Sequence, residues 1–232
     1  MIKKKIIKVA AVLMALSCTA HAAQFTDTQN HWARETIDTL ADMGVVSGVT
    51  DTLFMPDGTV TRAEYLKMIM EALNLGTADL RPGECLDAAA YDWYAPYLQR
   101  ALDIGIIPGD MVLNYKENVE YTVDENGNTI YSKVTYSGAF NGNIPITRQE
   151  MAVLTQYAYQ YTRTVVTNKT AKDEKGTMFE DRDDISGWAT VSVEQAVANG
   201  FMEGMDDNYF KPADTATRAQ AATVILRVIT KN

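Results

Sequence analysis

One five-residue phrase occurs three times in this chain, as Val60-Thr61-Arg62-Ala63-Glu64, Ile146-Thr147-Arg148-Gln149-Glu150 and Ala216-Thr217-Arg218-Ala219-Gln220. Thr followed three residues later by Glu or Gln is a capping box, in which the hydroxyl and the acid or amide satisfy backbone N–H groups that a helix start leaves without partners. Each copy is therefore expected to open a helix. Arg follows the Thr every time, in the first turn, where the positive end of the helix dipole makes a cation cost roughly 0.3 to 1 kcal/mol. Two readings compensate that cost. In one, the Arg makes an intramolecular salt bridge that fixes loop to helix. In the other, the guanidinium and exposed helix N–H groups form an anion site, and replacing the Arg by Ala then costs little stability. Spacing alone does not separate them.

The repetition runs beyond this phrase. Trp32, Trp93 and Trp188 each precede a glycine by twelve residues (Gly44, Gly105, Gly200), and a further glycine follows four later (Gly48, Gly109, Gly204). Between Trp and Gly the apolar positions are Ile37, Leu40 and Ala41, then Leu98, Ala101 and Leu102, then Val193, Ala196 and Val197. That spacing is one face of an amphipathic helix closed by a glycine C-cap. The helices after each Arg offer Leu66, Ile69 and Leu73, then Met151, Leu154 and Ala158, then Ile225, Val228 and Ile229 as apolar faces. Each unit is thus two helices joined by a glycine-punctuated loop. Two helices cannot close a core alone, so the units are expected to pack on one another.

Repeat one reads as residues 25–75, with its first helix from about His31 to Met43 and its second from Arg62 to about Asn74. Repeat two covers 85–162, a linker 163–178, and repeat three 179–230. Loops one and three carry Phe54-Met55-Pro56 and Phe210-Lys211-Pro212, an element repeat two is read as lacking. Between Gly109 and Thr147 lie about 35 residues where the other repeats use a dozen. That insert, about 110–143, alternates Val119, Tyr121, Val123 and Ile130, Val134, Tyr136 around Asn126-Gly127, the signature of a β-hairpin with a tight turn.

Residues 1–22 read as a secretory signal: Lys3, Lys4, Lys5 and Lys8, an apolar run from Val9 to Leu16, and Ala20-His21-Ala22 as cleavage site. Around Cys18 the sequence only loosely resembles a lipoprotein box. Removing the leader takes four of the 21 basic residues and none of the 30 acidic ones, leaving a net charge of −13, which argues against nucleic acid as a partner. Cys85 and His31 are then the only cysteine and histidine, too few for a disulfide or a zinc site, so no metal or cofactor is expected. Export to the cell surface is the expected location.

Repeated Phe-x-Asp, Trp, Gly-x-x-x-Gly, Phe-x-Pro and Thr-Arg-Ala-Glu elements behind a secretory signal resemble the S-layer homology (SLH) family, from Phe25 to about Ile229. The resemblance implies a mainly α fold, three helix-loop-helix motifs in a pseudo-threefold bundle. It implies anchoring rather than catalysis, by a pyruvylated, anionic secondary cell-wall polysaccharide, or in some lineages other cell-wall material such as a peptidoglycan-linked polymer, held in grooves between motifs. In those grooves it implies Arg62, Arg148 and Arg218 on the ligand carboxylate, Trp32, Trp93 and Trp188 beside the sugar, and Gly48, Gly109 and Gly204 where backbone approaches the ligand. Plain core is the other reading of the Trp residues, and an ordinary turn that of the glycines. Gln220 and Gln149 depart from the motif. Ranked by how complete each repeat's motif is, Arg62 is expected to matter most for binding and Arg148 least.

An enzyme is the rival class. The chain has no phosphate-binding Gly-rich loop and no Gly-x-Ser-x-Gly elbow, although a glycosidase would need only two of its many carboxylates. A third class is an envelope adaptor that binds another surface protein through the hairpin.

Overall fold

The computed structural model describes residues 25–81, 87–163 and 179–231, with backbone alone for 113–121, 130–137 and 206. The leader, Cys85 and all but the first residue of the 163–178 linker lie outside the described residues. Among those described, six helices and two strands follow in the order α1 (Arg34–Asp42), α2 (Arg62–Ala72), α3 (Ala95–Asp103), β1 (Leu113–Val123), β2 (Thr129–Ala139), α4 (Arg148–Thr162), α5 (Thr190–Ala198) and α6 (Arg218–Lys231). The fold is mainly α, as the periodicity predicts.

Capping sets where α2, α4 and α6 begin. The Thr61, Thr147 and Thr217 hydroxyls accept from the N–H of Glu64, Glu150 and Gln220 at 3.2, 3.4 and 3.2 Å, and those side chains accept in return from the Thr N–H at 2.7, 2.9 and 3.0 Å. Helices α1, α3 and α5 have no such cap. Accordingly α1 starts at Arg34 and not near His31, because the His31 ring nitrogen Nδ1 takes the N–H of Ala33 at 3.1 Å and holds 31–33 as a turn. At their far ends Gly44, Gly105 and Gly200 sit at φ of 72°, 71° and 74°. The next N–H then reaches back to Leu40, Ala101 and Ala196, closing each helix with a Schellman turn that only glycine enters without strain.

The expected faces are the buried ones. Ile37, Leu40, Leu98, Ala101, Val193 and Ala196 have no solvent exposure, while Ala41, Leu102 and Val197 lie at the margin of the core. Tyr65 is fully buried and its hydroxyl meets Thr155 Oγ1 at 2.6 Å. Thr155 spends its own proton on Met151 O at 2.6 Å, so Tyr65 is the donor, and burial raises its pKa.

The packing order is cyclic. α2, α4 and α6 pack on one another at the centre, while α3 packs on α2, α5 on α4 and α1 on α6. The first helix of each unit thus covers the second helix of the preceding unit, and the third unit closes on the first. On the axis three backbone hydrogen bonds form a ring: Val60 N–H to Ala216 O (3.1 Å), Ala216 N–H to Ile146 O (3.0 Å) and Ile146 N–H to Val60 O (2.9 Å).

The strands form a two-stranded antiparallel sheet within the expected insert. Its turn differs from the tight one expected. The ladder ends at Val123 opposite Thr129, and Asp124–Asn128 make a five-residue turn. Asp124 organises it, Oδ1 accepting from the N–H of Asn126 (2.9 Å) and Asn128 (2.8 Å), and these bonds, that from Asn128 foremost, hold its carboxyl below the ordinary range.

Candidate functional site

The helix starts of α2, α4 and α6 are where the repeats meet, and their backbone donors are all engaged. The first two N–H groups of α2 donate to Ile144 O (2.9 Å) and Gly142 O (2.8 Å), those of α4 to Asp214 O (2.9 Å) and Pro212 O (3.1 Å), and those of α6 to Gly58 O (2.8 Å) and Pro56 O (2.9 Å). With the capping boxes also closed, none of these helix starts presents a free N–H to an anion. The exposed-N–H component of the anion-site reading is corrected on this point: the adjoining repeat's loop takes the place of a ligand.

The arginines dock in the same cyclic order. Arg62 donates to Glu150 Oε1 and to Met111 O, with its guanidinium 4.8 Å from the centre of the Phe140 ring. Arg218 donates to Phe54 O (2.9 Å), Ser47 O (2.9 Å) and Glu64 Oε1 (3.3 Å), and stacks 4.6 Å from Phe54. Arg148 donates through Nε to Phe210 O (2.7 Å) and through Nη2 to Glu203 O (2.8 Å), and stacks 4.8 Å from Phe210. Carbonyls, aromatic faces and in two cases a carboxylate offset the unfavourable dipole, which is the loop-to-helix reading in structural form. Burial lowers the pKa of Arg148 against the pull of Asp214 and Asp181, and that of Arg218 against Glu64 and Asp27.

Each loop is clasped from the start of its own repeat. Asp27 accepts the N–H groups of Phe54 (3.0 Å) and Met55 (2.7 Å), Asp181 those of Phe210 (2.8 Å) and Lys211 (2.6 Å), and Asp87 those of Phe140 (2.8 Å) and Asn141 (2.5 Å). The clasp holds Met55, Lys211 and Asn141 at φ of 58°, 56° and 54°, a left-handed conformation costly outside glycine. For Asp27 burial pulls the carboxyl upward, but the hydrogen bonds from Phe54 and Met55 outweigh it and lower the pKa. Repeat two therefore keeps the loop element, as Phe140-Asn141-Gly142, which corrects the reading that it is missing. The signal was the eight-residue interval from Phe140 to Arg148, equal to that from Phe54 to Arg62 and from Phe210 to Arg218. Gly replaces Pro because a Cβ at 142 would lie 2.9 Å from the Tyr94 ring.

Three of the expected site residues line one groove of about 330 Å³: Gly48 from repeat one, Trp93 from repeat two and Arg218 from repeat three. Glu64, Lys67 and Met68 complete its floor along α2. Trp93 is 52% exposed, Trp32 is 66% exposed, and Trp188 packs partly against the core. Gly48 is needed for space, since a Cβ there would lie 2.5 Å from the Phe25 ring and 2.2 Å from Thr50 O. Gly204 likewise abuts Phe179, at 2.7 Å. Gly109 instead opens a single 3-10 turn, Gly109–Met111, that hands a carbonyl to Arg62. Arg62, Arg148, Trp32 and Trp188 lie outside this groove. Lys67 was missed by sequence reasoning, because its counterparts in the other repeats, Val153 and Thr223, carry no charge and the repeat pattern does not mark the position. Among the described residues there is no cluster of three or more His, Cys, Asp or Glu side chains placed to hold a metal ion, and no helix long and apolar enough to cross a membrane.

Known proteins resemble the chain along most of its length. It is 33% identical over 208 residues to an amylopullulanase of Thermoanaerobacterium thermosulfurigenes, covering 90% of this chain and 10% of that protein. An exoglucanase XynX of Acetivibrio thermocellus matches equally well, over 90% of this chain and 16% of its own length. An S-layer protein of Bacillus thuringiensis subsp. finitimus is 27% identical over 85% of this chain and 20% of its own length. The chain thus spans about a tenth to a fifth of these relatives. The S-layer homology domain model matches residues 24–66 and 179–222, which hold the clasp, first helix, loop and start of the second helix in repeats one and three. Over those two stretches the chain is similar to the S-layer homology domain.

Proposed function

We propose that this chain anchors non-covalently to the bacterial cell surface by binding an acidic, pyruvylated cell-wall polysaccharide between its repeats, and that residues 85–162 are the third copy of the motif. The observation that carries the reading is the groove in which Trp93, half exposed, stands beside Lys67 and Arg218. An aromatic face suits the apolar side of a sugar ring, and two cations suit its acidic substituents. Arg218 is already bonded to Glu64 and two carbonyls, so Lys67 is the cation with freedom to move to a ligand. Two differently named enzymes, the amylopullulanase and the exoglucanase, and an S-layer protein share this region, which supports an attachment module over a catalytic one.

Pull-down with isolated sacculi, before and after removal of the secondary polymer, tests the proposal. Trp93→Ala and Lys67→Ala each remove a surface contact and are expected to weaken binding about tenfold to a hundredfold, the equivalent of ~1.5–3 kcal/mol, at unchanged Tm. Binding that survives polymer removal, or both substitutions, would refute it. The adaptor reading has one observation in its favour: β1 and β2 pair only with each other among the described residues, leaving two strand edges open to a partner strand. Loss of a surface-protein partner on deleting the hairpin, with sacculus binding intact, would establish it.

A further inference from the structure

The β1–β2 hairpin has eleven residues in each strand, and its main contact beyond itself is the Gly109–Met111 turn at the base of β1. Two strands alone are marginal in water, and a further strand or a packed face is what stabilises such a sheet. The register places Val119 opposite Val134, Glu117 opposite Tyr136 and Tyr121 opposite Ser132. One face therefore carries Val119, Tyr121, Val134 and Tyr136 beside Glu117, and the other carries Lys116, Asn118, Glu120 and Lys133. Val123, at the end of β1, is 56% exposed. Among the described residues, neither outer edge of the hairpin has a strand paired to it.

The two edges differ in charge, and the difference selects a partner. β2 carries Lys133 and no acid, so a second β2 laid against it finds no opposite charge, and a lysine on an edge strand deters pairing. β1 carries Lys116, Glu117 and Glu120. Two copies of β1 related by a two-fold axis normal to the sheet run antiparallel and keep their faces, so only residues of like parity come opposite each other. Lys116 and Glu117 differ in parity and cannot meet. Lys116 and Glu120 can, when Asn118 stands on the axis opposite its own copy. By symmetry that register makes the Lys–Glu pair twice, and it overlaps β1 along its whole length. Residues 116 to 120, which decide it, lie within the uninterrupted ladder from Lys116 to Thr122. Within each hairpin Glu120 already stands opposite Lys133, so the rung across the joined sheet alternates in sign.

We infer that β1 is a self-recognition edge: two copies of the chain join β1 to β1 about a two-fold axis at Asn118 and form one four-stranded antiparallel sheet. Pairing of β1 with β2 of another copy is head-to-tail and does not close, so it builds filaments and not dimers. The inference rests on the open edge of the adaptor reading, narrows the partner to the chain itself, and is independent of sacculus binding.

Sedimentation equilibrium of the purified chain tests it. A monomer–dimer equilibrium is expected between about 1 μM and 1 mM, with the dimer lost when a Gly-Ser connector replaces residues 114–138. Lys116→Glu sets acid opposite acid at both symmetric positions and is expected to raise the dimer Kd about tenfold or more. The double variant Glu120→Lys/Lys133→Glu keeps the pair inside the hairpin, sets lysine opposite lysine between copies, and is expected to weaken the dimer likewise. An equimolar mixture of the two variants restores both opposite-charge pairs and is expected to dimerise as the parent does, which a misfolded hairpin would not do. A parent that stays monomeric through that range, a Lys116→Glu variant that dimerises like the parent, or variants that mixing does not rescue overturns the inference. Species larger than a dimer and indifferent to Lys116→Glu would identify the β1–β2 filament and overturn it as well. A monomeric chain whose hairpin captures another surface protein keeps the adaptor reading and removes self-recognition. A charge-dependent dimer that does not bind sacculi keeps self-recognition and removes the wall proposal.

Discussion

The loop of repeat one, residues 49–60, and that of repeat two, residues 110–146, do the same work with different amounts of chain. Repeat one reaches its second helix directly, and repeat two first sends out the β1–β2 hairpin. Yet both return to an aspartate clasp, a Phe under an Arg, a residue at positive φ and a carbonyl that caps the neighbouring helix. What the architecture requires is the node where two repeats join. Chain length between nodes is free, since a longer surface loop costs only a slowly growing closure entropy.

The sharpest test compares the two aromatic plates. Phe54→Ala and Phe140→Ala are each expected to cost about 3–5 kcal/mol in denaturant unfolding, because both rings are fully buried under a guanidinium. A much smaller cost at Phe140 would show that the hairpin had replaced the loop after all. Arg62→Ala comes next, at about 3 kcal/mol, since it strands Glu150 and two loop contacts at a buried junction. The anion-site reading expects almost no cost, so thermal unfolding of this variant separates the two.

Acid sensitivity probes the clasp. Asp27 has its folded pKa below the ordinary 3.8, so its contribution is complete above that value and is lost as pH falls through the folded pKa. Asp27→Asn should therefore be less stable than the parent at pH 6, with the gap closing below about pH 4. Equal stability at pH 6 would remove the clasp from the account. The smallest effect belongs to the hairpin itself. Replacing residues 114–138 with a short Gly-Ser connector keeps Met111 and Phe140 and should change stability by less than about 1 kcal/mol. A larger loss would make the hairpin part of the core.

Local chemistry was readable because it is carried by nearby residues. The capping boxes at Thr61, Thr147 and Thr217, the glycine stops at 44, 105 and 200 and the buried faces of six helices each depend on a few positions in one turn, and all sit where their spacing places them. Phe140 is hard to read as the counterpart of Phe54 and Phe210 because Gly142 stands where they have proline, and the reason for that change, the Tyr94 ring, is distant in sequence. Lys67 escaped because nothing in a repeat marks a residue that only one copy uses.

The sequence by itself determined three two-helix units, their ends and their apolar faces, since these follow from backbone caps and helical period. Only the tertiary structure decided that the units close in a ring, with each Arg entering the next repeat and each helix start capped by a foreign carbonyl. The physical reason is that a hydrogen-bond donor specifies the kind of partner it needs but not which segment supplies it. Packing three such units around one axis makes that choice.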